Sequence, residues 1–264
     1  MAITDKDSVT RKITITKVTM KKIVETNYKH LEGMSDKWRN SFGEVAASFI
    51  MLVWGQSGNG KSSLVMQLLK ELRHLGSILY VSLEEGFSDT VKANILRSFG
   101  KENRYSNVHF TDYTTTLETL TEHLQQRGSE RFIIIDSLQY CRITYPRYCK
   151  LKERFPKKSF IFISHAEGKL PKGDTADEIR YDAGIKVRVE NYIAYAASRY
   201  GGNKPYLIWE EGAISRLGKK KLRTILGSTD SGITDKKPRR HSKRMEQEID
   251  APSIPQRGNL EDIQ

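Results

Sequence analysis

Apolar residues along the chain fall into short unbroken runs that alternate with segments of helical periodicity. The runs are rich in β-branched and aromatic residues, which is typical of parallel strands buried on both faces. They cover residues 49–54, 77–83, 131–136 and 159–164. Because strands and helices alternate, the pattern predicts an α/β protein with a mostly parallel twisted sheet and helices on both faces.

The segments between the runs carry apolar residues at helical spacing. The predicted helices are 64–72, 87–99 and 117–124, with a short strand at 108–110. Further along, residues 183–189 and 191–198 predict a hairpin, and residues 204–209 predict one more strand. These segments would add antiparallel strands at the C-terminal end of the sheet. Residues 168–177 show no periodic apolar pattern and are predicted to form a loop.

The chain has 264 residues, of which 38% are apolar, and this suits one sizeable domain with extensions. Residues 1–40 are predicted as a basic N-terminal extension, in which Ile13 and Ile15 alternate with threonines as in an edge strand. Residues 41–218 make up the predicted domain. Residues 219–264 contain basic runs, an acidic end and few apolar residues, so they predict a disordered tail.

The formal net charge of +12 favours a polyanionic partner, with nucleic acid ahead of a membrane surface. The two cysteines, Cys141 and Cys149, lack metal-type spacing and predict free thiols in a reducing compartment. No apolar run is long enough to span a membrane, and the N-terminal residues do not resemble a signal peptide. A cytoplasmic location is therefore expected.

A glycine-rich motif follows the first apolar run and precedes the first predicted helix. It has the spacing of a phosphate-binding loop, in which backbone N–H groups and the start of a helix surround phosphate oxygens. Its lysine is expected to reach the β- and γ-phosphates of ATP, and the serine after it to bind Mg²⁺. The candidate nucleotide-binding residues are Gly55, Gln56, Ser57, Gly58, Asn59, Gly60, Lys61, Ser62 and Ser63.

Two acidic residues at the ends of predicted strands complete the candidate site. Asp136 ends an apolar run, and in a phosphate-loop enzyme such an acid holds Mg²⁺ together with Ser62. Hydrolysis also needs a group that orients water, and Glu84 is the candidate, on a strand expected beside the phosphate loop. If the strand pattern continues, Glu85 points the other way. A purely structural role for Glu84, at a helix start or in a salt bridge, is the alternative.

Residues 42–212 resemble the RecA-type ATPases, the group that contains the RecA and RadA recombinases and the DnaB- and RepA-type hexameric helicases. The resemblance rests on the phosphate loop, on Val81–Glu84, on Ile133–Ser137 and on Ser198–Gly201, which is similar to a Lys-x-Arg-x-Gly segment. It implies a RecA-like fold, Mg²⁺-dependent ATP hydrolysis, a ring or filament of identical subunits, and non-specific binding of single-stranded DNA in replication or recombination. The compact chain suggests a phage or plasmid type.

The resemblance also implies roles for single residues. Arg199 would reach the γ-phosphate of a neighbouring subunit and act as a catalytic residue there. The lysine usual in that segment is replaced by Ala197, and Lys204 is a candidate substitute. His165 stands where the group places a polar sensor. Ordinary surface or structural roles remain open for Arg199 and His165.

In the resembling enzymes, two loops face DNA. Here they carry basic residues interleaved with tyrosines, which suits binding of phosphates and stacking of bases. These residues are Tyr140, Arg142, Tyr145, Arg147, Tyr148, Lys150 and Lys152 in the first loop, and Lys169, Lys172 and Arg180 in the second. The alternative is that the tyrosines pack on helices of their own domain.

Two other functions remain open. The chain could be a regulatory ATPase of the RadA or KaiC kind, which switches a protein partner without DNA. A phosphate-loop kinase acting on a small molecule is the second alternative, although no arginine-rich lid is evident and Glu84 suits activation of water better.

Overall fold

The computed structural model of the chain describes residues 17–100 and 106–227. Within these ranges, eight strands form one sheet. The strands of the sheet are β1 (Ile50–Trp54), β2 (Ile78–Ser82), β3 (Val108–Thr111), β4 (Phe132–Asp136), β5 (Ser159–Ser164), β8 (Ile185–Glu190), β9 (Ile193–Ser198) and β10 (Tyr206–Leu207). Two short strands, β6 (Ala166–Glu167) and β7 (Leu170–Pro171), pair with each other as a separate ribbon.

The strand order across the sheet is β10-β9-β8-β1-β5-β4-β2-β3. The neighbours from β8 to β3 are parallel, whereas β9 and β10 are antiparallel additions at one edge. The predicted α/β fold with a mostly parallel sheet and C-terminal antiparallel strands is confirmed. This order places β5 between β1 and β4, so the strand before the phosphate loop and the strand that ends in Asp136 are not direct neighbours.

Helices cover both faces of the sheet. In chain order they are α1 (Met20–Glu25), α2 (Asp36–Phe42), α3 (Lys61–Leu72), α4 (Asp89–Phe99), α5 (Leu117–Gln125), α6 (Leu138–Cys141), α7 (Tyr145–Arg154), α8 (Asp174–Asp182), α9 (Glu210–Leu217) and α10 (Lys219–Leu226). Alternate residues of each strand face opposite sides. Thus Ile134 packs in a core with α2 and α3, while Ile133 and Ile135 pack in a second core with α5, α7 and α8.

The N-terminal boundary of the domain differs from the prediction. Trp38 and Phe42 are 2% and 1% exposed, and their rings stack on one side of α2 within the first core. Residues four apart share a helix face, so the two aromatic rings anchor this segment together. His30 also bridges to Ala46. The extension predicted for residues 1–40 therefore contributes to the domain, and the strand predicted around Ile13 lies outside the described residues.

Other boundaries also differ from the prediction. The loop predicted for residues 168–177 contains the ribbon strand β7 and the start of α8, while the strand predicted for 204–209 is only two residues long. Lys219–Leu226 are helical, with Leu222 buried, so the predicted disordered tail does not begin at 219. Residues 228–264 lie outside the described residues. In the described part of the chain, no helix combines the length and apolar character needed to cross a bilayer.

Candidate nucleotide site

A cleft of about 480 Å³ opens at the carboxyl ends of the parallel strands. Ligands of open α/β sheets bind at this edge, because loops from several strands meet there. Predicted residues that line the cleft are Gln56, Ser57, Gly58, Gly60, Lys61, Ser62, Ser63, Glu84, Asp136, His165 and Lys172. Lining residues not predicted for the site are Glu85, Asn94, Arg97, Ala166, Tyr192 and Trp209. Gly55 and Asn59 are not among the lining residues.

Glycines shape the phosphate loop for two different reasons. Gly58 and Gly60 have φ angles of +71° and +100°, which residues with a Cβ atom rarely adopt. A Cβ at Gly60 would also lie 2.9 Å from Cδ1 of Tyr192. At Gly55, a Cβ would lie 2.3 Å from the carbonyl oxygen of Val189, so the start of the loop is pressed against β8. The loop conformation therefore depends on all three glycines.

Asn59 ties the phosphate loop to the turn between β8 and β9. Its Oδ1 accepts a hydrogen bond from the backbone N–H of Asn191 at 2.7 Å, and its carbonyl accepts one from the N–H of Tyr192 at 3.1 Å. Asn191 and Tyr192 both have positive φ angles. Asn59 thus holds the phosphate loop against the β8–β9 turn, and the aromatic ring of Tyr192 in this turn lines the cleft.

Lys61 begins α3 at the base of the cleft. Its ammonium group donates to the carbonyl oxygens of Gly55 at 2.8 Å and Gln56 at 3.2 Å. Burial lowers the pKa of Lys61, whereas the charges of Asp136 and Glu84 oppose this effect. The ammonium group, the first turn of α3 and the loop N–H groups together make this end of the cleft favourable for anions.

Asp136 lies at the end of β4 and is mostly buried. Burial raises the pKa of this carboxyl group to about 6, and the charges of Glu84 and Glu85 add to the rise. The hydroxyl of Tyr80 donates to Oδ2 of Asp136. This hydrogen bond and the charge of Lys61 both lower the pKa of Asp136 and so partly offset the rise. A carboxyl group surrounded by other carboxylates in this way is suited to hold a cation.

The oxygen donors in the cleft fit Mg²⁺. Ser62 would offer its hydroxyl and Asp136 a carboxylate, which are ligands that Mg²⁺ prefers. Within residues 17–100 and 106–227, no three or more His, Cys, Asp or Glu side chains converge as a metal site. Few protein ligands are what Mg²⁺ needs when phosphate oxygens and water fill the other positions.

Glu84 is held at the cleft by contacts with residues at the ends of β4 and β5. The N–H groups of Leu83 and Glu84 donate to the carbonyl oxygen of Asp136 at 2.7 and 3.1 Å. Oε2 of Glu84 lies 2.9 Å from Nε2 of His165, at the end of β5. The expectation that Glu84 lies on the strand beside the phosphate loop is wrong, because β5 and β4 separate β2 from β1.

Glu85 also lines the cleft, against the expectation that it points away. The strand β2 ends at Ser82, and residues 83–85 form a turn, so side-chain alternation does not continue through this pair. The carboxylate of Glu85 accepts a hydrogen bond from the hydroxyl of Thr90 at the start of α4. The cleft therefore holds two adjacent glutamates, of which Glu84 contacts His165.

His165 connects the cleft to the ribbon of β6 and β7. Its N–H donates to Oε1 of Gln139 at 3.1 Å, and its carbonyl oxygen accepts the N–H of Lys172 at 2.9 Å. Nε2 of Gln139 donates to the carbonyl oxygen of Lys172 at 2.9 Å. His165 therefore contacts Glu84 through its ring, and Gln139 after β4 and Lys172 after β7 through its backbone.

Arg199 lies near the amino-terminal ends of β8 and β1, whereas the phosphate loop follows the carboxyl end of β1. It follows Ser198, which pairs with Ile185, and Ile185 pairs with Met51 near the start of β1. A five-residue strand is about 16 Å long, so Arg199 and Lys61 of one chain do not meet. The guanidinium of Arg199 donates to the carbonyl oxygen of Tyr181 at 3.2 Å. Within the same region, the backbone N–H of Lys204 donates to Asn40.

The predicted first loop is mostly helical, and its residues separate into two groups. Tyr148 is fully buried, and its hydroxyl donates to Asp182, which also forms an ion pair with Lys152 at 2.7 Å. The alternative that tyrosines pack within the domain is therefore correct for Tyr148. Tyr140 and Arg142, in contrast, are exposed.

Exposed members of this group border a second cavity, of about 640 Å³, beside the nucleotide cleft. We call it the basic groove and define it by Tyr113, Tyr140, Arg142, Arg147, His165 and Lys172. The groove shares His165 and Lys172 with the cleft. Arg147 also pairs with Glu118 at 3.0 Å. Among the second-loop residues, Lys169 is exposed, and Arg180 pairs with Asp177 at 2.7 Å.

Comparison with known proteins found a matching family model and a similar solved structure. A family model described as an AAA domain matches residues 47–159. The chain is similar to the flagellar accessory protein FlaH from Methanocaldococcus jannaschii, with 17% identity, 65% of this chain and 88% of that chain covered, and a TM-score of 0.49. No curated protein matched the sequence. The phosphate loop, the sheet order and the matched segment define a phosphate-loop NTPase fold with an ATPase-like domain.

Proposed function

We propose that the protein binds and hydrolyses ATP with Mg²⁺, and that an assembly of identical subunits couples hydrolysis to single-stranded DNA. The observation that carries the proposal is the convergence of Lys61, Ser62, Asp136 and Glu84 on one cleft. An anion-binding loop, two oxygen ligands for a cation and a carboxylate able to orient water are the parts that hydrolysis of a nucleoside triphosphate requires.

Lys61 and the phosphate loop would bind the phosphates. The ammonium group of Lys61 contacts the carbonyl oxygens of Gly55 and Gln56, and it would exchange these contacts for oxygens of the β- and γ-phosphates. Ser62 and Asp136 would hold Mg²⁺. When bound, the metal neutralises charge that develops on the phosphate oxygens. Ser62 and Asp136 line the same cleft as Lys61, so the metal would lie next to the bound phosphates.

Glu84 would orient the attacking water and accept its proton. The water oxygen forms a bond to the γ-phosphorus while the bond from that phosphorus to the bridging oxygen of ADP breaks, which yields ADP and phosphate. His165 holds Oε2 of Glu84, and this leaves Oε1 to contact the water. Since the backbone of His165 contacts Gln139 and Lys172, loss of the γ-phosphate would be transmitted from Glu84 through His165 to the basic groove.

The aromatic pair of Tyr192 and Trp209 is suited to the nucleotide base. The rings meet edge to face with centroids 4.9 Å apart, and the indole of Trp209 is 50% exposed at the cleft. An exposed aromatic face next to a phosphate site offers stacking to a base. The pair lies beside the phosphate loop because Asn59 holds the β8–β9 turn there.

The position of Arg199 supports action between subunits. Because it lies at the end of the sheet opposite to its own loop, its guanidinium would act on the cleft of another copy. An arginine supplied in this way stabilises charge in the transition state. Ala197 leaves one cation fewer than the resembling segment has, so Arg199 would act alone or with Lys204.

The basic groove is the proposed contact for single-stranded DNA. Arg142 and Lys172 would bind phosphates, and the exposed rings of Tyr113 and Tyr140 would stack bases. Such binding would not depend on the DNA sequence, because every base has a flat face that can stack on a tyrosine ring. The shared residue His165 would link occupancy of the groove to the state of Glu84.

A second candidate is a regulatory ATPase that acts on a protein partner. The observation in its favour is an exposed apolar segment around α1, where Val18, Met20 and Val24 are 63%, 81% and 78% exposed. Such clustering on one surface segment is typical of protein contacts. In this second candidate function, the protein still binds and hydrolyses ATP, but it does not bind DNA.

The test is an ATPase assay with single-stranded DNA titrated at several salt concentrations. The proposal predicts release of free phosphate, stimulation by DNA, and DNA binding that weakens as salt increases. Arg142→Ala should reduce stimulation and leave turnover without DNA unchanged. Phosphate release with no response to DNA would favour the regulatory function. Transfer of phosphate to an added small acceptor would show a kinase instead.

A further inference from the structure

Tyr80 on β2 faces the same side of the sheet as Asp136. The strands β2 and β4 pair in register, with Tyr80 opposite Ile134 and Ser82 opposite Asp136. Because side chains alternate along a strand, Tyr80 and Asp136 share one face and are diagonal neighbours. Adjacent strands lie about 4.8 Å apart and a strand rises about 3.3 Å per residue, so the Cα atoms of Tyr80 and Asp136 are about 8 Å apart, a distance that an aromatic side chain spans. The hydroxyl of Tyr80 accordingly donates to Oδ2 of Asp136.

The phenol ring has little freedom to move. Tyr80 is 2% exposed, and its ring stacks on Phe110 of β3 with centroids 5.0 Å apart and an interplanar angle of 23°. Tyr80 and Phe110 are also direct partners in the sheet. A hydroxyl carried by so fixed a ring holds the carboxylate of Asp136 in one orientation.

We propose that Tyr80 is a positioning residue for magnesium: its hydroxyl holds Oδ2 of Asp136 and leaves Oδ1 to act as the metal ligand. Among the described residues, Oδ2 is the side-chain oxygen of Asp136 that has a hydrogen-bond partner. This inference rests on the proposed binding of Mg²⁺ and nucleotide. Groups that orient a ligand in this way commonly change metal affinity about 10–100-fold when they are removed.

The test is Tyr80→Phe, which removes the hydroxyl and keeps the ring that stacks on Phe110. Calorimetric titration of a non-hydrolysable ATP analogue at a series of Mg²⁺ concentrations measures the half-saturating Mg²⁺ concentration. We expect it to rise about 10-fold, while nucleotide affinity at saturating Mg²⁺ changes less than 2-fold. An unchanged Mg²⁺ requirement in a folded variant would overturn the proposal.

Tyr148→Phe is the matched control. Tyr148 is also a buried tyrosine whose hydroxyl donates to an aspartate, but its partner Asp182 lies away from the cleft. The control should leave the Mg²⁺ requirement unchanged. If both variants raise it equally, the effect is a general loss of packing and the proposal fails.

Phe110→Leu provides a second variant should Tyr80→Phe not fold. It keeps the hydroxyl and removes the ring that fixes it, so a smaller rise of about 2–5-fold is expected, and no rise would count against the proposal. Failure of the proposed function is distinguishable, because wild-type protein would then bind no nucleotide at any Mg²⁺ concentration.

Discussion

Glu84 and His165 meet at the nucleotide cleft, with Oε2 of one 2.9 Å from Nε2 of the other. They are 81 residues apart in sequence and come from the ends of β2 and β5. The contact holds one oxygen of Glu84, and the backbone of His165 in turn contacts Gln139 and Lys172. We therefore expect Glu84 and the adjacent Glu85 to differ sharply in their effect on hydrolysis.

Glu84→Gln should lower the rate of ATP hydrolysis about 10²–10⁴-fold, because an amide cannot accept the proton of water. Nucleotide affinity should change little. The control is Glu85→Gln, which alters the adjacent glutamate that contacts Thr90 rather than His165. Single-turnover hydrolysis with saturating enzyme measures the chemical step. A normal rate in Glu84→Gln, or an equal loss in both variants, would remove Glu84 from the assigned role.

Arg199→Ala should lower turnover of the assembled protein, by about 10³-fold or more if the arginine acts as a trans cation. Its position at the far sheet edge makes a mixing experiment decisive. Lys61→Ala supplies Arg199 without a working cleft, and Arg199→Ala supplies the reverse. Mixing the two inactive variants should restore activity.

The control for this experiment is Arg154→Ala, since Arg154 is an exposed arginine at the end of α7. It should be fully active alone. If the mixed variants assemble, as sedimentation would show, and still remain inactive, Arg199 does not serve a neighbouring cleft.

Trp209→Ala should weaken ATP binding by about 1–3 kcal/mol, the usual contribution of a base stacked on an aromatic ring. Trp209→Phe should retain most of the affinity. Tripolyphosphate has no base and tests the mechanism, because its affinity should be equal in all three proteins. Equal losses for ATP and tripolyphosphate would mean that Trp209 supports the loop rather than the base.

Glu130 provides a prediction on stability. It is 6% exposed and contacts Nδ1 of His109 at 2.8 Å and Nε2 of His123 at 2.7 Å. Burial alone would raise the pKa of Glu130, but hydrogen bonds from His123, its own backbone and His109 outweigh burial and lower it. A carboxylate with a lowered folded-state pKa stabilises the fold above its unfolded pKa of about 4.3, and this stability disappears as pH falls through the folded value.

Glu130→Gln should therefore lose about 1 kcal/mol of unfolding free energy at pH 7, and the difference from wild type should shrink below about pH 4. Denaturant titrations at several pH values measure it. Glu122→Gln, at an exposed glutamate of α5, is the control and should match wild type. A deficit in Glu130→Gln that persists unchanged at pH 3 would show that the hydrogen-bond pair is not its origin.

Much of the fold followed from the sequence because its strands are unbroken apolar runs, and the loop motif has fixed spacing. The order of the strands in the sheet cannot be deduced from the sequence pattern, so the pattern does not predict that β5 and β4 lie between β1 and β2. Glu85 was misplaced because a turn begins at Leu83, where local pattern gives no signal. Roles predicted for Glu84, Asp136 and Arg199 remain predictions.

Two of the residues missed at the site, Tyr192 and Trp209, come from a distant part of the chain. Asn59, 132 residues before Asn191, binds the β8–β9 turn that carries Tyr192, and Trp209 packs on Tyr192. Trp38 lies in the segment predicted as an extension, and Phe42 lies at the start of the predicted domain. Their i, i+4 spacing was the available signal, since two aromatic rings on one helix face predict burial.

The central claim is that one cleft binds nucleotide through Lys61, and calorimetric titration of a non-hydrolysable ATP analogue with Mg²⁺ tests it most directly. We predict one site per chain, affinity reduced about 10–100-fold in Lys61→Ala through loss of charged hydrogen bonds, and no change in Lys70→Ala on the exposed side of the same helix. Folded wild-type protein that gives no binding heat, or binds equally well without the Lys61 ammonium group, would contradict the account.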